Sequence, residues 1–254
     1  MDILTSCFCK TSVMLLLLAT VSPESYSQAG QVLPVNTDRK VTTISIKIGN
    51  TIIPNILLDT GFPWDGVIIY NPSYNDSLDL AGAVQVSLGG AGSGEPQQAL
   101  MVDSASFFVG PVQLTNQRIV ALQSDLYKGF PSNGVIGHSI FGRFAAEIDY
   151  DRDLLILYDP ETFVADTSWT SIPMFLNDNG VPGINASISI EAEDPVAIST
   201  YIDFADQNEL VLLEKPGMKF TLPKETTAVL LGRGLSGDVY GTQGIVARLI
   251  IGPY

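Results

Sequence analysis

Cysteine is nearly absent from this chain, and its placement sharpens the shortage. Cys7 and Cys9 both sit near the start, so nothing beyond them can form a disulfide, a zinc–thiolate site or a cysteine nucleophile. Histidine is reduced to His138, which argues against a histidine-rich metal centre. With no second histidine and no nucleophile-elbow motif, a serine triad has little support either. Basic residues are scarce: 13 Lys and Arg stand against 27 Asp and Glu, for a net charge of -14. That balance excludes a nucleic-acid surface, which needs a basic stripe. Long apolar runs are missing too. The stretch at residues 13–21 is too short to span a bilayer, so no stable membrane span is expected.

What the chain does have is short apolar segments set between turn residues. Hydrophobic residues make up 46% and charged residues 16%, a globular balance, while 23 glycines and 15 prolines punctuate the Val/Ile/Leu runs. That pattern predicts an all-β protein. The start reads differently. Lys10 precedes the apolar stretch, and polar residues follow as far as Gln31. This profile predicts a signal peptide over residues 1–29, with Ala29 as an exit position, and a secreted or periplasmic (exported) mature chain.

The strongest internal signal is a repeat. The run Ile56-Leu57-Leu58-Asp59-Thr60-Gly61 returns as Tyr201-Ile202-Asp203-Phe204-Ala205. At an offset of 144 positions, residues 44–47 fall on 188–191, Asp59 on Asp203, and 67–69 on 211–213. At 143, the glycine-dense residues 88–95 fall on 231–238. A repeat of this length predicts two related lobes, each with one carboxylate at the end of a buried strand. Residues 41–48 alternate with period two, Gly49-Asn50 supplies a tight turn, and 51–58 return, which delivers Asp59 to a loop. The expected organisation is a first lobe over 30–162, a connection rich in Pro, Asn and Gly over 163–183, and a second lobe over 184–254. The second lobe has no counterpart to residues 134–158 and reads as C-terminally incomplete.

Leu57-Leu58-Asp59-Thr60-Gly61, the glycine-rich tip at 89–94 and the later Gly134-Val135-Ile136-Gly137 together resemble the aspartic proteases, in particular the bacterial two-lobed retropepsin-like, pepsin-like type. The resemblance implies an acid-protease-like β-barrel and an aspartic-type endopeptidase that hydrolyses peptide bonds through a water activated by paired carboxylates. It implies Asp59 and Asp203 as the catalytic pair, Thr60 as a brace for the loop, and Gly61 as a close backbone donor. Gly90, Ala91 and Gly92 would lie in a flap that binds the substrate. The partner would be a peptide or protein, with no cofactor and no metal.

The second site departs from that pattern. Asp203 is followed by Phe204-Ala205, without the hydroxyl and the glycine found after Asp59. A missing hydroxyl predicts a lost cross-brace, and Ala205 places a methyl where the backbone must come close. Three readings follow: an enzyme, an impaired homologue that binds peptides, or a truncated product. The dyad would form within a monomer, or between two copies of Asp59 in a first-lobe homodimer. His138 reads as a local hydrogen-bonding group. The sequence 232–237 fits G-x-G-x-x-G, but turn and strand follow it instead of a helix, so it reads as the second lobe's hairpin tip.

Overall fold

The computed structural model of the chain describes residues 13–15, 30–38, 41–191, 194–214, 216–218 and 220–254. The signal-peptide reading of 1–29 lies outside the described residues apart from Val13–Leu15. That segment forms a strand, β1, and β2 follows at Gln31–Pro34.

Alternation of buried and exposed positions builds β3 (Thr43–Ile48), and Gly49, at φ +56°, turns the chain into β4 (Thr51–Leu58). Next come β5 (Gly66–Ile69), β6 (Val84–Leu88), β7 (Gln97–Val109), β8 (Val112–Leu122) and β9 (Gly134–Ile136). Their order in the sheet is β3-β4-β9-β5-β8-β7, and β7 pairs back onto β3, closing a six-stranded barrel with β6 beside β7. Closure leaves no free edge in the ring. β9 runs parallel to β4 and antiparallel to β5, so it is threaded between two strands that precede it by a long stretch of chain.

Side chains that alternate inward fill the barrel: Ile46, Ile53, Ile56, Leu58, Ile69, Phe107 and Ile136 are all at most 1% exposed. Each such side chain contributes roughly 1.5–3 kcal/mol through burial. A second apolar cluster gathers Phe62, Ile68, Tyr70, Val120, Leu122 and Tyr127, with Trp64, Leu126 and Phe130 half-buried against it. Tyr70 stacks on Tyr127 at 4.2 Å, and Tyr127 meets Phe130 edge-on at 5.1 Å.

A one-turn helix, α1 (His138–Phe141), leads into the hairpin β10 (Ala145–Asp149) and β11 (Leu154–Tyr158). With β1 and β2 it makes a four-stranded sheet in the order β1-β10-β11-β2. The predicted connection contains β12 (Met174–Leu176), which pairs with β13 (Pro182–Ser189). β14 (Val196–Tyr201) pairs with β13, while β15 (Thr226–Gly234) and β16 (Gly237–Gly244) form a separate hairpin. The last strand, β17 (Arg248–Ile250), returns to β13. Beyond β12 the buried apolar residues among those described are Ile184, Ala186, Ile188 and Ile190, so the second half carries far less core than the barrel. Among the described residues no helix is long and apolar enough to cross a membrane.

Candidate active site

Asp59 stands where the parallel pair of the barrel ends. Its amide extends the ladder by donating to the Ile136 carbonyl at 2.9 Å. The chain then turns: Gly61 N–H donates to Asp59 Oδ1 at 2.6 Å, and Phe62 N–H donates to the Asp59 carbonyl at 3.2 Å. A Cβ at position 61 would lie 3.0 Å from Asp59 Oδ1 and 3.7 Å from Asp203 Oδ2, so glycine is what lets the backbone approach the carboxylates. Gly137, from the threaded segment, packs under the same loop. A Cβ there would be 2.2 Å from the Asp59 carbonyl oxygen.

Asp203 arrives by an equivalent route. β14 ends at Tyr201, Ile202 N–H donates to the Pro182 carbonyl at 2.9 Å, and Ala205 N–H donates to Asp203 Oδ1 at 2.9 Å. This last bond repeats the one from Gly61 to Asp59. Alanine at 205 keeps the amide that glycine would have offered.

The two carboxyl groups lie close enough for the charge of one to act on the other. Burial and the neighbouring Asp203 charge together push Asp59 from 3.8 up to about 7, against the opposing pull of the Gly61 and Phe62 amides. Asp203 is raised as well, by burial first and by the charge of Asp206, while the amides of Ala205 and Asp206 pull it down. Asp203 keeps an exposed side and Asp59 is more enclosed. Asp59 is therefore the member that holds a proton more firmly. Two like charges this close cannot both ionise cheaply, which is the physical basis for a shared proton.

Thr60 joins the lobes. Its side chain is 5% exposed, and its hydroxyl donates to the Ile202 carbonyl at 2.5 Å while accepting from Phe204 N–H at 3.2 Å. Half of the expected cross-brace is thus in place. Phe204 has no hydroxyl for the other half. Its ring instead meets Phe141 of α1 edge-on, with centroids 5.7 Å apart, so an apolar contact anchors the second loop to the first lobe's core. Beside Asp203 opens a cavity of about 300 Å³, lined by Thr37, Val41, Thr42, Tyr150, Phe204 and Asp206.

Gly90, Ala91 and Gly92 lie at the tip between β6 and β7, and their described polar contacts run to the β15–β16 tip of the other lobe. Gly90 N–H donates to Ser236 Oγ at 3.2 Å, Ser236 N–H donates to the Ala91 carbonyl at 2.9 Å, and Gly94 N–H donates to the Ser236 carbonyl at 2.6 Å. The sequence 232–237 is therefore a hairpin tip, and no helix follows it. His138 sits apart from the dyad: its Nδ1 lies 3.1 Å from Asp65 Oδ1, and Asp65 also accepts from Arg143 at 2.8 Å. Among the described residues no group of three or more His, Cys, Asp or Glu could hold a metal ion.

Sequence reasoning places Asp59, Thr60, Gly61 and Asp203, and the structure brings these four together. It misses Phe204 as an anchor and Ser236 as a tip contact. An available signal for Ser236 is its alignment with Ser93 in the repeat.

No protein-family model matches this sequence, and no curated protein does. Among solved structures, the chain is similar to a retropepsin-like aspartic protease from Rickettsia conorii, at 22% identity and a TM-score of 0.36, over 52% of this chain and 96% of that one. It is also similar to Basic 7S globulin from soybean, at 13% identity and a TM-score of 0.38, over 69% of this chain and 63% of that one. The chain thus spans less than two thirds of the globulin's length. At such identities and TM-scores neither neighbour lends its activity to this chain. The chemistry must be argued from the dyad itself.

Proposed function

We propose that the chain is an aspartic-type endopeptidase in which Asp59 and Asp203 share one proton within a single molecule. The observation that carries this reading is the convergence of two carboxyls from different lobes on one point beside Gly61, each fixed by an amide two residues further on. In the protonated member the O–H can donate to a scissile carbonyl. The ionised member can take a proton from water as that water attacks, so the pair supplies acid and base at once. Thr60 holds the loops in register, and the backbone of the tip around Gly90, Ala91 and Gly92 would pair with an extended peptide, a β-augmentation mode.

A second reading has its own support. Without a hydroxyl at 204 the second loop cannot return the brace that Thr60 gives it, which favours a homologue that binds peptides without cutting them. The experiment that separates the two is cleavage of a mixed peptide library from acid to neutral pH by the wild type, Asp59→Ala and Asp203→Ala. Cleavage abolished in both variants supports the intramolecular dyad. Loss in Asp59→Ala alone, with a doubled mass in solution, would favour a first-lobe homodimer. No cleavage by a folded wild type rejects the enzyme and leaves the binder.

Export, to the periplasm or outside the cell, is part of the same proposal and rests on the leader at 1–29. N-terminal sequencing of the protein recovered from its native host tests it: a start near residue 30 supports removal, a start at Met1 opposes it. Removal would take β1 away from the edge of β10.

A further inference from the structure

We infer that a cavity of about 100 Å³, walled by Asn36, Val41, Thr43, Asn55, Pro131 and Ser132, takes the carboxamide side chain of a glutamine or asparagine from a peptide that lies across the dyad. The inference deepens the endopeptidase reading, and rests on it, by naming a substrate class.

Position comes first. Val41 lines this cavity and also the larger one beside Asp203, so the two openings adjoin. Neighbours in the chain divide between them: Asn36 and Thr43 line the first, Thr37 and Thr42 the second. A peptide at the dyad that crosses Val41 thus carries a side chain to the smaller opening.

The walls are built and held. Pairing of β3 with β4 slips between Ile44 and Ile46, where Pro54 and Asn55 together face Ser45. A bulge of this kind re-aims a side chain. Asn55 stands in the left-handed region at φ +57°, which asparagine tolerates better than most residues. Asn133 ties the bulge to the segment that carries Ser132: its amide donates to the Asn55 carbonyl and its side chain to the Pro54 carbonyl, both at 2.9 Å. Asn36 and Thr43 exchange two backbone hydrogen bonds at 2.9 Å, and Asn36 Oδ1 accepts from Asp38 N–H at 3.0 Å.

The lining selects the guest. Ser132 is 3% exposed, and its hydroxyl has no hydrogen-bond partner among the described residues. A buried hydroxyl in that state is satisfied by a guest or by ordered water. Among the described residues no charged side chain lines the cavity, so an ionised group would give up its hydration without a counter-charge. An aliphatic group would offer nothing to Ser132 or to the two asparagines. A carboxamide brings donors and an acceptor without charge.

The test uses the full chain in two arms. In the first, backbone amide shifts are followed by NMR as N-acetylglutamine methylamide is added, with the glutamate and methionine counterparts as controls of similar length. Saturating shifts at residues 36, 43, 55 and 132 are expected. Glutamine should bind about tenfold more tightly than either control, the worth of roughly one net hydrogen bond. Ser132→Ala and Asn55→Gly, the latter suited to the positive φ, should each bring the three ligands to within about twofold of one another. In the second arm the wild type digests a mixed peptide library. Glutamine or asparagine should be enriched at one fixed distance from the cut, and the enrichment should vanish in both variants. Equal affinity for the three ligands, or cleavage without that enrichment, overturns the inference. Glutamine binding at these residues with no cleavage by the folded wild type upholds the pocket and fails the endopeptidase reading alone.

Discussion

Thr60 Oγ1 donates to the Ile202 carbonyl at 2.5 Å and accepts from Phe204 N–H at 3.2 Å, so one hydroxyl of the first lobe grips the chain on both sides of Asp203. Thr60→Val keeps the shape and removes both bonds. Two part-buried backbone groups then lose their partner, at a cost of about 1–3 kcal/mol each at most. We expect lower stability in urea and at least a tenfold loss of peptide cleavage, with Thr60→Ser restoring both. A Thr60→Val protein as stable and as active as wild type would show that the brace is idle.

Phe204→Ser would restore the hydroxyl that the family resemblance leads one to expect, yet it strips the ring from Phe141. Phe204 is half-buried, so the lost packing costs about 1–3 kcal/mol, against roughly 1 kcal/mol for a new hydrogen bond. The expected outcome is a less stable chain, read as a lower urea midpoint. A higher midpoint would mean that the polar tie outweighs the apolar anchor.

The raised Asp59 sets a pH dependence whose sign can be worked out. Between about 4 and about 7 the folded chain holds a proton on Asp59 that the unfolded chain has released. The stabilisation is therefore fully present below about 4 and is lost as pH rises through about 7. Melting temperature should fall over that window in the wild type and fall less in Asp59→Asn. Cleavage should likewise decline as the shared proton leaves. Parallel melting curves for the two proteins would contradict the assignment.

Gly137→Ala drives a methyl into the carbonyl oxygens of Asp59 and Phe62, at 2.2 and 2.6 Å. Backbone cannot step aside cheaply, so a loss of about 1–3 kcal/mol or more is expected, together with activity. Gly232→Ala is the control. A Cβ there meets nothing within 4 Å, and its stability should stay within about 0.5 kcal/mol of wild type. Equal effects in the two variants would remove the packing argument.

Much of this was legible in the sequence, for a physical reason. Strand period, the Gly49 turn and the repeat around Asp59 and Asp203 are local or self-similar signals, and they predict an all-β chain with two strand-end carboxylates. The closed barrel needs more. Pairing of β3 with β7 joins segments whose residues carry no mark of each other. Phe204 reads from the sequence only as a lost hydroxyl, because its partner Phe141 lies on an element far away along the chain. Ser236 likewise looks like a copy of Ser93, and the structure shows it meeting the first tip. Met174–Leu176, short and set among turn residues, carries too few positions to display a period, yet pairs with β13.

The threading of β9 has a consequence for how the protein comes into being. Residues 134–136 slot between β4 and β5 and only then give Asp59 its amide acceptor and Gly137 its place beneath the loop. Contacts of such long sequence separation form slowly and late. Asp203 is later still in synthesis. A growing chain thus carries its first carboxylate long before that carboxylate is positioned, and longer before it is paired. The pair of carboxyls, and any chemistry that needs both, comes into being only at the end of the order in which the polypeptide is made.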